Sequence, residues 1–223
     1  TQKGKPIDNC RRFCQQYRDQ RKIVPGVGLQ GVYVCGEETC REAAEYAREE
    51  DLLLHFHLSE TRGEVHEHKK KTGKRPAEWL DAIGGLGPNA LSAHSAWLTI
   101  NDVRLMAKSG MSIATCPSSN MKLASGIAPV ERLLAAGINT GLGTDGAASN
   151  NRLDMFAEMR QAALLAKVAS GDATAVPAHV ALRMATLDGA RALGLGERIG
   201  SIGAGKLADL CAVNLATLET QPC

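Results

Sequence analysis

The sequence predicts an α/β protein with a parallel sheet, arranged as part of a (β/α) barrel. Short apolar runs alternate regularly with longer amphipathic segments, and we count five strands, each followed by a helix. An open doubly wound sheet fits that alternation equally well. However, His57, His94, Cys116 and Asp145 all follow the ends of strands. Barrels gather their reactive groups at this position, so the barrel is favoured.

Each element has a local reason in the sequence. The strands are short apolar or β-branched runs bounded by glycine or polar residues, and they cover residues 23–29, 52–58, 90–94, 111–115 and 138–142. The helices are longer segments with helical apolar spacing, at residues 8–21, 37–50, 63–72, 76–83, 99–109, 129–136, 153–170 and 177–193. Thr99 or Asn101 is the expected cap of one helix, and Gly137 ends another.

The texture of the sequence changes after Leu195. Glycines at a turn and then alternating apolar residues at 199–215 predict a return into a small β element. We therefore expect two parts: a partial, catalytic barrel over residues 1–197 and the start of a flanking β element over residues 198–223. A complete barrel has eight strands. We expect the first three to be missing from this chain, which would then be the C-terminal part of a longer protein.

The composition excludes several classes of protein. The chain has 223 residues, with 26 basic and 24 acidic side chains and a net charge of +2, so nothing indicates nucleic acid or an anionic membrane as a partner. No apolar run approaches the length of a membrane span, and there is no N-terminal signal pattern. The seven cysteines form no CxxC pair and indicate free thiols in a reducing compartment. We expect a cytoplasmic protein.

The segment HFHLSET at residues 55–61 carries the strongest local signal. His55 and His57 are two apart in a strand and face the same way, with His57 nearer the end of the strand. A neutral imidazole is a good zinc or iron ligand, and Glu60, three residues later, suits a proton carrier. A core histidine and an ordinary loop glutamate explain the pattern about equally well. A second histidine, His94, ends another strand, where a structural role is the commoner one.

Asp145 directly follows an apolar strand and is followed by small residues that allow close approach. It suits a metal ligand, or alternatively the cap of the next helix, which Asn150 or Asn151 could also supply. The stretch of residues 116–126, CPSSNMKLASG, is interpreted as a loop that shapes the pocket. Its Ser119, Asn120 and Lys122 could line the site without any assigned step.

Together these motifs resemble the amidohydrolase superfamily, and within it the 5′-methylthioadenosine/S-adenosylhomocysteine deaminases and the related triazine hydrolases. HLSET, SNMKLASG, LGTDGAASNN followed by LDMF, MATLDGARALGL and GSIGAGKLADL match in order, over residues 24–222. The resemblance implies a (β/α)8 TIM-type barrel of the metal-dependent hydrolase kind. It implies that His57 and Asp145 bind the metal, that Glu60 carries the proton, and that His94 orients the hydroxide and the tetrahedral intermediate.

The implied reaction is hydrolytic deamination of an adenosine-like base: S-adenosylhomocysteine, 5′-methylthioadenosine or adenosine. Water activated by one divalent metal, zinc first and iron second, attacks C6 while Asp145 accepts its proton. Glu60 protonates the ring nitrogen N1, and His94 stabilises the oxyanion. The expected partner is a small molecule, with no nucleic acid and no membrane, and the full-length protein is expected to be a homo-oligomer.

Two departures from the family pattern weaken parts of this reading. The family also uses an HxH pair on the first strand, which this chain lacks. His66 and His68 have the right spacing but lie in a charged helical stretch, so we expect them to be solvated. We therefore expect this chain alone to be inactive. Gln30 also stands where many nucleoside deaminases carry a histidine; it could still bind substrate, but it makes a triazine, guanine or other amino-heterocycle an alternative substrate.

Overall fold

A computed structural model describes residues 6–20 and 22–216. Five strands form one sheet in the order of the sequence, and every neighbouring pair is parallel. The strands are β1 (Gly26–Gly31), β2 (Leu53–Leu58), β3 (Ala90–His94), β4 (Ser112–Thr115) and β5 (Asn139–Leu142). Parallel neighbours in sequential order are the arrangement of a barrel wall, and the five strands predicted from the sequence are confirmed.

Helices connect the strands and follow the last one. Before β4 they are α1 (Pro6–Tyr17), α2 (Glu37–Glu49), α3 (Arg62–Thr72), α4 (Pro76–Ala82) and α5 (Ile100–Ser109). After β4 they are α6 (Pro117–Lys122), α7 (Val130–Ala135), α8 (Ala147–Asn150), α9 (Met155–Ser170), α10 (Ala178–Ala185) and α11 (Leu187–Ala192). Among the described residues, no helix is long and apolar enough to cross a membrane.

Side-chain caps fix where several of these helices begin. Thr99 accepts a hydrogen bond from the Asp102 amide while the Asp102 carboxylate accepts from the Thr99 amide, which is the capping box expected of Thr99. Asp154 caps α9 by accepting from the amides of Phe156 and Ala157. The sequence had suggested an asparagine or Asp145 for that cap, and that expectation is wrong.

The two faces of the sheet differ in the size of their side chains. One face packs against the helices and contributes apolar side chains to the main core, among them Val27, Leu54, Phe56, Leu58 and Ile113. On the other face the strand register aligns His57 with Ala93, Ala114 and Gly141. Side chains of aligned residues in parallel strands point the same way. His57 therefore stands beside a row of small residues, which leaves room for a ligand.

Two predicted segments differ in the structure, and a third extends beyond the described residues. The single helix expected at residues 177–193 is two helices, because Thr186 has a non-helical backbone (φ −125°, ψ −94°). The expected loop at residues 116–126 contains α6, with Pro117 at its start, where proline needs no amide partner. No strand is assigned within residues 199–215. Residues 217–223 lie outside the described residues, and the flanking β element over 198–223 stays a prediction.

All described cysteines are free thiols, as the sequence indicated: Cys10, Cys14, Cys35, Cys40, Cys116 and Cys211. Burial raises the pKa of the Cys116 thiol to about 12, and the nearby Asp145 carboxylate acts in the same direction. Cys116 is therefore held as a protonated thiol at neutral pH and is a packing residue rather than a nucleophile.

Candidate active site

His57 is oriented by a backbone carbonyl. Its Nδ1 lies 2.5 Å from the carbonyl oxygen of Gln30 on the neighbouring strand. A carbonyl oxygen only accepts hydrogen bonds, so Nδ1 carries the proton and Nε2 keeps its lone pair. Metal-binding histidines show this arrangement, in which the outer hydrogen bond fixes both the tautomer and the direction of the ring. His55 lies on the same face, as expected, and is exposed.

Gln30 contributes to the site through its backbone. Its side-chain amide donates to the Tyr33 hydroxyl at 3.2 Å, so that amide is engaged within the protein. The chain between them turns at Gly31, whose φ of +147° favours glycine. The sequence suggested a substrate contact for the Gln30 side chain; this stays a prediction, while the contact from its carbonyl to His57 was not foreseen.

His94 lies at the end of β3 and is almost completely buried. Its ring stacks on His57 with centroids 5.3 Å apart and planes 19° from parallel. Its Nε2 lies 3.8 Å from Glu60 Oε2, and its Nδ1 lies 2.9 Å from Asn120 Oδ1. His94 therefore lies between the metal-ligand candidate on one side and the proton-carrier candidate on the other.

Glu60 is held through both its backbone and its carboxylate. Ser125 Oγ donates to Glu60 Oε1 at 3.0 Å, and the Glu60 amide donates to Glu64 Oε2 at 2.7 Å. The second Glu64 oxygen accepts from the Ser59 amide at 3.1 Å. Burial raises the pKa of Glu64, although the hydrogen bonds from these backbone amides oppose the shift. Glu64 thus anchors the backbone on which the candidate proton carrier stands.

Asp145 lies just after β5 with a left-handed backbone, φ +59°. Its Oδ2 accepts from Ser119 Oγ at 2.6 Å and its Oδ1 accepts from the Gly146 amide at 2.7 Å. Burial would raise the pKa of this carboxyl, but the hydrogen bonds from Ser119 and from the Gly146 amide outweigh it, and the pKa is lowered. Asp145 is therefore present as a carboxylate, the form that binds metal or accepts a proton.

One short segment, residues 119–125, contacts three of these site residues. Ser119 bonds Asp145, Asn120 bonds His94, and Ser125 bonds Glu60. All three side chains are buried. Lys122 points elsewhere and donates to the carbonyl of Ala148 at 2.7 Å. The sequence had named Ser119 and Asn120 as lining residues without a role and had missed Ser125; the SNMKLASG motif contains all three.

The other histidine pair does not take part in the site. His68 is buried, at 6% exposure, and its ring packs edge-on against Trp79 with centroids 5.3 Å apart. The expectation that His68 is solvated is therefore wrong, because one face of α3 packs on α4. His66 is exposed, as expected. Burial, followed by the charge of Lys71, lowers the pKa of His68, so its ring is neutral.

The sequence profile of the Amidohydrolase family matches residues 3–222. The chain belongs to the amidohydrolase family. A 5′-deoxyadenosine deaminase from Methanothermobacter thermautotrophicus and a 5-methylthioadenosine/S-adenosylhomocysteine deaminase from Moorella thermoacetica are each 48% identical to it over 201 residues. Each alignment covers 90% of this chain, and 46% and 47% of the respective relative. The chain thus spans about half the length of the curated relatives it matches.

Solved structures agree with the family. An adenosine deaminase from Xanthomonas campestris, crystallised with bound zinc, has a TM-score of 0.94 and 42% identity, covering 97% of this chain and 49% of that one. An atrazine chlorohydrolase from Arthrobacter aurescens, complexed with zinc, has a TM-score of 0.88 and 26% identity, covering 98% of this chain and 50% of that one. The expected resemblance to adenosine-type deaminases and triazine hydrolases, and the barrel fold, are confirmed.

The amidohydrolase family is metal-dependent, and zinc is present in these related structures. Within the described residues, no three histidine, cysteine, aspartate or glutamate side chains are grouped so as to hold a metal ion. The available donors nevertheless have suitable chemistry: His57 offers an unprotonated Nε2, and Asp145 is a hydrogen-bonded carboxylate. Because zinc normally takes three protein ligands and a water in catalytic sites, these two residues fit part of a metal site.

Proposed function

We propose that this chain carries the His57, Glu60, His94 and Asp145 part of a metal-dependent deaminase that releases ammonia from an adenosine-like base. The observation that supports this most directly is the adjacency of Glu60 and His94, with Glu60 Oε2 3.8 Å from His94 Nε2 and His94 stacked on His57. A proton carrier beside an imidazole and a metal-ligand candidate is what hydrolysis of an aromatic amine requires. The names of the relatives support an adenosine-type substrate.

Deamination needs a proton on the ring nitrogen and a base for the attacking water. Glu60 is placed for the first task, since its carboxylate is fixed by Ser125 and its backbone by Glu64. Asp145 is placed for the second, because it is a carboxylate whose oxygens are positioned by Ser119 and the Gly146 amide. His94 is placed to hydrogen-bond the attacking water through Nε2. Each proton transfer of this kind contributes about 10²- to 10⁴-fold in rate.

His57 and Asp145 would hold one divalent metal, zinc first and iron second, together with ligands from outside this chain. When bound, such a metal lowers the pKa of water towards about 7 and supplies a nucleophile at neutral pH. The small side chains beside His57 leave space for a planar base on the same face of the sheet. A homo-oligomeric assembly and a cytoplasmic location stay predictions.

The test is ammonia release by the metal-loaded gene product that carries this chain. The substrates are S-adenosylhomocysteine, 5′-methylthioadenosine, 5′-deoxyadenosine, adenosine, guanine and an aminotriazine. We compare the wild type with Glu60→Gln, which keeps the shape of the side chain and removes its proton transfer. Glu49→Gln makes the same change at an exposed position of α2 and serves as the matched control.

We expect turnover of the adenosine-type compounds, a loss of about 10²-fold or more in Glu60→Gln, and no loss in Glu49→Gln. Turnover of guanine or the triazine alone would retain the metal chemistry but refute the adenosine-type substrate. Full activity in Glu60→Gln would refute the role of Glu60 itself.

A further inference from the structure

The side chain that orients His94 belongs to α6, and its chemistry decides which ring nitrogen carries the proton. Asn120 Oδ1 lies 2.9 Å from His94 Nδ1, and the two residues are 2% and 1% exposed. An amide oxygen only accepts hydrogen bonds, so Nδ1 is the protonated nitrogen. In the neutral ring, Nε2 then has a lone pair and no proton.

That unprotonated nitrogen is the one that faces Glu60, at 3.8 Å from Oε2. We propose that Asn120 is a positioning residue that holds neutral His94 in the Nδ1–H tautomer, so that Nε2 meets the reacting groups as a hydrogen-bond acceptor. As an acceptor, Nε2 can take a hydrogen bond from the attacking water, and in the neutral ring it has no proton to donate to a developing oxyanion. The opposite tautomer would present a donor from the start, as a simple oxyanion-binding histidine would.

The surroundings of Asn120 make it able to fix the tautomer. Its backbone amide donates to the Cys116 carbonyl at 2.9 Å, and its carbonyl accepts from the Ser125 amide at 2.8 Å. The residues on both sides of Asn120 are also hydrogen-bonded to the site: Ser119 donates to Asp145, and Ser125 donates to Glu60. Asn120 is buried, so no solvent is at hand to replace its oxygen if the side chain is changed.

The experiment uses the metal-loaded gene product, with 15N-labelled histidine, and two readouts. The first is the 15N NMR signal of the His94 ring nitrogens, assigned by its loss in His94→Gln; this reports the tautomer directly. The second is the kcat and KM of ammonia release. Asn120→Leu removes the acceptor at similar volume, and Asn120→Asp keeps an oxygen acceptor. Asn101→Leu is the matched control, because its exposed amide bonds Glu78 at 3.2 Å on the protein surface.

We expect wild-type His94 to show Nδ1–H and Asn120→Leu to lose that preference. Its kcat should fall about 10- to 100-fold with little change in KM, as for other outer partners of catalytic groups. Asn120→Asp should keep the tautomer and recover most of kcat, and Asn101→Leu should resemble the wild type.

A wild-type His94 protonated at Nε2 would overturn the inference without any variant. An unchanged tautomer in a folded Asn120→Leu protein would also overturn it, as would equal losses of kcat in the Leu and Asp variants. The kinetic consequence rests on the proposed function, whereas the tautomer does not. If no substrate is deaminated but His94 is Nδ1–H, the proposed function fails and the tautomer assignment stands.

Discussion

Glu158 is a completely buried carboxylate outside the reacting groups, and changing it tests how the site is held together. It lies on α9, and its Oε2 accepts from the Ser118 amide at 3.0 Å, at the start of α6. Its Oε1 accepts from the Asn150 side chain at 2.8 Å, and the same Asn150 amide donates to the Thr144 carbonyl at 2.7 Å. Glu158 therefore joins α6 to the loop that carries Asp145.

The expected magnitude follows from the donors that lose their acceptor. In Glu158→Ala, the Ser118 amide loses its acceptor and the Asn150 side-chain amide loses one of its two acceptors. Both losses occur where Glu158 is completely buried. Each such loss costs about 1–3 kcal/mol, so the two together should cost about 2–6 kcal/mol. Glu158→Gln keeps one acceptor oxygen but faces the other donor with an NH₂ group, so we expect about 1–3 kcal/mol.

The assay is urea unfolding of the gene product. The free energies of unfolding are compared between proteins that share the same dependence of that free energy on urea concentration. Glu45→Ala, on the exposed side of α2, provides the matched control and should change stability by less than about 0.5 kcal/mol. The order wild type, then Gln, then Ala is the expected result. A loss of less than about 1 kcal/mol in Glu158→Ala would refute the idea that this carboxylate supports the two loops.

Three further predictions concern the site and its surroundings. Ser125→Ala removes the donor to Glu60 and should lower kcat about 10-fold with KM unchanged; an unchanged kcat would show that this contact is unnecessary. The pKa of His68 is lowered from 6.5, so the unfolded chain binds the proton more readily and the free energy of unfolding should fall as the pH drops below 6.5. The free energy of unfolding should change less with pH in His68→Leu, and the same pH dependence in both proteins would contradict the lowered pKa of His68. Chelation should lower the melting temperature, and zinc should restore it in the wild type but not in Asp145→Ala.

The fold could be predicted to a large extent because its signals are local. Alternating apolar runs and amphipathic segments gave five strands in the right places, and Thr99 gave a correct cap. One prediction that failed depended on a contact with another helix. The burial of His68 arises from Trp79, which comes eleven positions later on another helix, so the charged composition of α3 was misleading. The break at Thr186 is not marked by an adjacent glycine or proline in the sequence.

The sequence names candidate site residues, whose roles stay predictions, but it does not reveal the contacts between them. His57, Glu60, His94 and Asp145 could be found because strand ends of a parallel sheet converge on one edge. The sequence could not assign Asn120 and Ser125 to particular partners, since their bonds cross 26 and 65 positions. Nor could it show that Gln30 acts on His57 through its carbonyl, because every residue has one.

Backbone conformation explains how Glu60 comes to lie beside His94. Ser59 and His94 both have left-handed backbones, with φ of +49° and +66°, a conformation that costs roughly 1–2 kcal/mol for a residue other than glycine. These turns keep the two loops paired beyond the strands: the Ser95 amide donates to the Leu58 carbonyl at 3.0 Å, and the Trp97 amide donates to the Ser59 carbonyl at 2.9 Å. The loops after β2 and β3 therefore run together instead of separating. The surrounding hydrogen bonds offset the cost of these left-handed residues, and the carboxylate of Glu60 lies beside the imidazole of His94 as a result.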